Sequence, residues 1–161
     1  MKTAAVGLGA NLGDAKASVL AAIEVLDLLP ATRLLRASKL YRTPAWGNTE
    51  QPDFINAVAV LETGLGAQVL LGLLLKIERD FGRVRETGKR WGPRTLDLDL
   101  LLFGIDVIDE QGLQVPHPHL HERAFALMPL AEIAPGIVIP GVGIVGELVA
   151  ALASDGIEAI P

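Results

Sequence analysis

Two aspartates interrupt a run of leucines past the middle of the chain, Asp97 and Asp99 in TLDLDLLLF. Successive strand side chains point to opposite faces, so both carboxylates share one face while Leu96, Leu98 and Leu100 take the other. A carboxylate buried without a partner is costly. Two hard cations on the oxygens would remove that cost, and magnesium is bound through carboxylate and phosphate oxygens. The segment just before, RVRETGKRWGPR, carries Arg83, Arg85, Lys89, Arg90 and Arg94 among Gly88, Gly92 and Pro93. That density of glycine and proline predicts a mobile basic loop, and arginine forks bond phosphate oxygens in pairs. Paired acids, magnesium and an arginine loop together point to phosphoryl transfer. The plainer alternative is an edge strand whose charged face simply pairs with those arginines.

These groups need elements to hold them. Thr3 to Leu8 reads as a first strand, with GANLGD as a tight turn into a helix. Gly7, Gly9 and Gly13 lack the GxGxxG spacing, and no Gly-Lys-Ser/Thr follows, so a nucleotide loop is not expected there. Val19, Ile23 and Leu26 recur at helical spacing between Ala15 and Leu28, and Pro30 closes the segment. Leu34 to Tyr41 reads as a second strand and Phe54 to Thr63 as a third, separated by a loop with Gly47, Asn48 and Pro52 as breakers. Leu70, Leu74, Ile77 and Phe81 mark one face of a second helix, and the aspartate strand comes fourth. Strand, helix, strand, strand, helix, strand is the split βαβ pattern of a ferredoxin-like α+β sandwich, an antiparallel sheet with helices packed on it. Beyond it, Val107-Ile108 and Leu113–Val115 predict a short hairpin, with helices over Arg123 to Ile133 and Ile144 to Leu152. No repeat, low-complexity tract or linker appears, so a single domain over 1–161 is expected.

Phe54 and Asn56 share a strand face, which places a ring beside a carboxamide. Such a pair can stack a flat heterocycle and read its edge, because an amide both donates and accepts. The alternative is Phe54 in the core with Asn56 bonded to backbone. His117, His119 and His121 alternate, but Pro116 and Pro118 break the backbone and no fourth ligand lies nearby, so zinc is not expected.

The 161 residues suffice for one sizeable core, and the absence of cysteine excludes disulfides and thiolate metal sites. A formal charge of −5 argues against a general nucleic-acid partner. No apolar run is long enough to span a bilayer, and MKTAAVGLGANLGD reads as a strand and not a secretory signal. A soluble, cytoplasmic, monomeric enzyme with no membrane partner is expected.

The run RWGPRTLDLD resembles the core motif of the 6-hydroxymethyl-7,8-dihydropterin pyrophosphokinases of folate synthesis. YRTPAWG, QPDFINAV and VPHPHLHERAFALMPLAEIAP match as well, so the resemblance covers almost the whole chain. It implies transfer of pyrophosphate from ATP to the hydroxymethyl group of 6-hydroxymethyl-7,8-dihydropterin, with AMP leaving and two Mg2+ ions on Asp97 and Asp99. It also implies that Arg83 and Arg94 stabilise developing charge. Thr43, Pro44, Trp46, Phe54, Asn56 and Phe125 would bind the pterin. The ATP set it implies is Leu75, Glu78, Arg85, Arg90, Trp91, Leu113, Gln114, His117 and Arg123. Two rival readings remain: a palm-like two-metal nucleotidyltransferase, which would release pyrophosphate, and a ferredoxin-like RNA-binding module, which the acidic composition does not suit.

Overall fold

A computed structural model describes residues 1–44, 52–83, 96–152 and 156–160, with Arg83 described in its backbone only. Strand β1 (Lys2–Ala10) turns through Asn11–Asp14 into α1 (Ala15–Leu26). The Asp14 carboxylate accepts the Ala17 N–H at 3.1 Å, satisfying one of the donors that a helix start leaves open. Then come β2 (Thr32–Ala37), β3 (Tyr41–Thr43), β4 (Phe54–Thr63), α2 (Ala67–Arg83) and β5 (Asp97–Phe103). A hairpin of β6 (Ile108–Glu110) and β7 (Leu113–Val115) leads through a 3-10 turn, Leu120–Glu122, into α3 (Ala124–Ile133). A small hairpin, β8 (Val138–Ile139) and β9 (Gly143–Ile144), precedes α4 (Val145–Ala150) and β10 (Glu158–Ala159).

The main sheet runs β10-β3-β4-β1-β5, with β2 also on β4, and every pairing in it is antiparallel. The fold is α+β, in three layers. Alternation along β1 and β4 sends Ala4, Val6, Leu8, Ile55, Ala57 and Ala59 to one face, where Val19, Leu26, Leu70 and Leu74 of α1 and α2 cover them. Ala5, Val58 and Val60 face the other way and meet Leu127 and Leu130 of α3 and Val145 of α4. In β5, Leu98 and Leu100 join the first face. The pairing then slips between Ala5 and Val6, so Leu101 is an extra residue and both it and Leu102 pack toward α3. Such a bulge bends the strand and re-aims its side chains.

Three sequence expectations need correction. Leu34 to Tyr41 is not one strand: β2 ends at Ala37 and β3 begins at Tyr41. A register slip between Leu34 and Arg36 and the Ser38 hydroxyl, which accepts the Val58 N–H at 3.0 Å and donates to Lys39 C=O at 2.7 Å, turn the chain between them. Gly9 belongs to β1, not to the turn after it, and only Gly13 there has a positive φ, 64°. Arg83 is the last residue of α2, whose buried stripe carries the helix through Gly82, so Arg83 belongs to the helix and not to the loop expected from it onward.

Candidate functional site

Antiparallel register lays out the site in rows. Gly9 in β1 stands opposite Asn56 in β4 on one side and opposite Asp97 in β5 on the other. Two residues earlier, Gly7 stands between Val58 and Asp99. All six belong to the sheet face on which Val58 and Leu101 meet α3. Strands lie about 4.8 Å apart, so Asn56 and Asp97 start from backbones roughly 10 Å apart with a glycine floor between them. Phe125 and Ala126 at the start of α3, and Thr43 and Pro44 at the end of β3, wall this floor into a cleft of about 380 Å³ that Phe54 and both aspartates also line.

The polar group at its base is held in place. Asn56 is 9 % exposed, Thr43 3 %, and the Asn56 Nδ2 donates to Thr43 Oγ1 at 2.9 Å. The walls are tied together farther along by Glu132 of α3, which accepts the Tyr41 hydroxyl at 2.7 Å and the Lys39 N–H at 3.1 Å. Burial, then the bond to Glu132 and its charge, push the Tyr41 phenol well above its ordinary pKa, so it stays a donor. Arg36 adds a 2.9 Å bond from Nη1 to Ile133 C=O at the end of the same helix.

A second cleft, about 530 Å³, opens on the outer side of β5. Leu71, Leu75 and Glu78 of α2 form one wall, and the β6–β7 hairpin with His117 and Pro118 forms the other. Asp97 and Asp99 line this cleft too, so the pair stands where the two meet. Glu78 also holds the aspartate strand directly, accepting the Leu98 N–H at 2.6 Å. The His117 N–H donates to Leu101 C=O at 2.9 Å, which seats that residue beside the bulge. Burial first, then the Arg123 and His119 charges, hold the His117 imidazole below its ordinary pKa, while Asp97 opposes them.

Among the described residues no three His, Asp or Glu side chains gather as a metal cluster. Two carboxylates at a cleft junction suit magnesium, which binds protein through one or two carboxylates and fills the rest of its octahedron with water and phosphate oxygens. They do not suit a closed tetrahedral zinc site.

Residues 5–135 match the 7,8-dihydro-6-hydroxymethylpterin-pyrophosphokinase (HPPK) family. The chain belongs to this family. It is 46 % identical over 156 residues to the 2-amino-4-hydroxy-6-hydroxymethyldihydropteridine pyrophosphokinase of Pseudomonas aeruginosa, covering 97 % of this chain and 95 % of that one. Against the enzyme of the same name from Methylorubrum extorquens it is 47 % identical over 161 residues, covering 99 % of each. The crystal structure of Plasmodium falciparum HPPK-DHPS wild type superposes with a TM-score of 0.67 at 13 % identity. That match spans 92 % of this chain but only 40 % of the longer one, and it speaks to the fold alone.

Of the residues singled out in the HPPK sequence pattern, the structure brings Thr43, Pro44, Phe54, Asn56, Phe125, Asp97 and Asp99 to the first cleft. Leu75, Glu78, Leu113, Gln114 and His117 come to the second. Arg123, expected with the ATP set, lines the first cleft, its guanidinium 5.7 Å from the centre of the Phe125 ring. His119 is exposed and 3.1 Å from Glu122. Trp46, Arg85, Arg90, Trp91, Arg94 and the Arg83 side chain lie outside the described residues. Sequence reasoning missed Gly7 and Gly9. Their signal was there, because glycine at alternate positions inside a strand marks a close approach by a ligand or another chain.

Proposed function

We propose that this chain transfers the pyrophosphoryl group of ATP to the hydroxymethyl oxygen of 6-hydroxymethyl-7,8-dihydropterin, releasing AMP, in folate biosynthesis. The observation that carries this is the row Asn56–Gly9–Asp97, with an amide at one end of a flat floor and an acid at the other. Its length suits a fused bicyclic ring whose edge meets Asn56 and whose hydroxymethyl arm reaches Asp97. Phe54 and Phe125 stack on the ring, and the fixed Asn56 carboxamide reads its pattern of donors and acceptors. Thr43 and Pro44 close the near wall, joined in the family pattern by Trp46. The nucleotide takes the second cleft, its base against Leu75, Leu113 and Gln114, its phosphates toward His117 and the aspartates.

The hydroxymethyl oxygen attacks the β-phosphorus and forms a new P–O bond. The bond from that phosphorus to the α,β-bridging oxygen breaks, its electron pair leaves with AMP, and the hydroxyl proton passes to solvent. No protein nucleophile takes part, so the residues act by position and charge. Asp97 and Asp99 would hold two Mg2+ ions, which when bound neutralise phosphate charge on both sides of the transferring group. Arg83 and Arg94 are assigned to the charge that develops during transfer, and Arg85, Arg90, Trp91 and Arg123 to the ATP phosphates and base, with Glu78 behind them. A ferredoxin-like split βαβ core is supported by the order β3-β4-β1-β5 and by α1 and α2 on one face. We further propose a monomer acting in the cytoplasm.

The test is incubation with ATP, magnesium and the reduced hydroxymethylpterin. AMP and the pterin pyrophosphate should appear in equal amounts. Release of inorganic pyrophosphate instead would mark a nucleotidyltransferase and overturn the assignment.

A further inference from the structure

Gly9 is a glycine for a reason other than backbone freedom. Its φ lies outside the left-handed region, in a strand that pairs regularly on both sides. What it lacks is volume. A Cβ built there would stand 2.8 Å from Asn56 Oδ1, closer than nonbonded carbon and oxygen allow, and no nearer than 3.9 Å to any other atom outside its chain neighbours. The contact is with the movable end of a side chain, so the fold can yield where the amide cannot stay.

We infer that Gly9 is a positioning residue for heterocycle recognition: its missing side chain is the seat in which the Asn56 carboxamide lies in the orientation that Thr43 fixes. This rests on the assignment of the first cleft to the pterin. The orientation is set from two sides. Thr43 Oγ1 takes one Nδ2 hydrogen at 2.9 Å, and the opposite edge of the amide, Oδ1, lies over Gly9. The second Nδ2 hydrogen and the Oδ1 acceptor are left to a ligand edge that offers one acceptor and one donor side by side. Rotating the amide away from a Cβ breaks the Thr43 bond and misaligns both groups. Because Asn56 is almost wholly buried, water repays little of that loss.

Three variants and one spectrum test this. Gly9→Ala should raise the pterin Kd by roughly tenfold to a hundredfold, as much as Asn56→Ala, since the cost of an unmatched buried amide is of that order. Both should leave the Kd of a non-hydrolysable ATP analogue within about twofold, because that ligand occupies the other cleft. In the double variant the two losses should not add, since the Cβ then has nothing nearer than 3.9 Å to displace. The side-chain amide signals of Asn56 in a 15N spectrum, assigned by their disappearance in Asn56→Ala, should shift in Gly9→Ala. Additive losses, an unshifted amide signal, or normal pterin affinity in Gly9→Ala would each overturn the inference. If Asn56→Ala itself binds pterin normally, the assignment of the cleft fails, and the inference with it. A Gly9→Ala chain that does not fold while the double variant does would still place the collision at Asn56.

Discussion

The two clefts share, among the described residues, only Asp97 and Asp99, and they are built by opposite means. The first lies on the sheet itself. Its floor is three strands in register, its buried amide is pinned by Thr43, and its helix wall is tied to β3 through Glu132. The second hangs off the sheet's last strand, between a helix and a hairpin of three-residue strands. Sites built on strands hold groups more closely than sites built on loops. A small, rigid ring read by its edge needs that accuracy. A nucleotide, longer and with several rotatable bonds, can adapt to walls that come from separate elements.

The comparison is broken most severely at the junction. Asp97→Asn or Asp99→Asn should cut turnover by roughly 10²–10³-fold with the far-UV spectrum unchanged, the scale of losing an electrostatic group at a reacting centre. AMP production over a magnesium series checks this, and near-normal rates at low magnesium would remove the aspartates from the chemistry. Next is the rigidity of the first cleft. Tyr41→Phe removes the 2.7 Å bond to Glu132 and should cost about 1–3 kcal/mol of unfolding free energy in urea. It should also weaken pterin binding more than ATP binding; equal weakening would mean that both clefts depend on the same clamp. For the second cleft, Leu75→Ser should lose about 1 kcal/mol of ATP-analogue affinity through apolar contact alone and leave the pterin Kd unchanged in calorimetry.

The smallest effect is in proton uptake. With its pKa lowered by burial, His117 binds a proton less readily in the fold than in the unfolded chain, whose ordinary imidazole value is 6.5. Its share of stability is therefore complete above that value and is lost as the pH falls through it and on through the folded value. An ATP analogue should raise the His117 pKa in an NMR titration, since phosphate favours the imidazolium, whereas pterin alone should not. Equal responses to both ligands would erase the division between the clefts.

The same division governs what the sequence made legible. Period-two alternation was enough to place Phe54 with Asn56 and Asp97 with Asp99, because strand geometry fixes which side chains share a face. The second cleft draws Leu75 and Glu78 from α2 and Gln114 and His117 from the end of the β6–β7 hairpin, and no sequence pattern links those two stretches, so only the family resemblance could gather them. Alternate glycines in β1 signal a close approach, but not that Asn56 is what lies over Gly9. That depends on which residue of β1 lies opposite residue 56, a fact of register and not of sequence order. The break between β2 and β3 was hidden for a similar reason. LLRASKLY contains neither glycine nor proline, and the turn is made by one serine hydroxyl standing in for ladder bonds. Arg85, Arg90, Trp91 and Arg94 stay assigned by resemblance.

Glu78 has one more consequence, for assembly. β5 ends the sheet, and a terminal strand presents outward N–H and C=O groups on which a foreign strand can add. This strand is leucine-rich, the kind that aggregates when uncovered. Two of its outward groups are already occupied, the Leu98 N–H by the Glu78 carboxylate and the Leu101 C=O by the His117 N–H. The wall of the second cleft is thus also a guard against edge-to-edge association. A Glu78 variant that comes out of solution has lost that guard, and its missing activity says nothing about nucleotide binding until the soluble fraction is weighed.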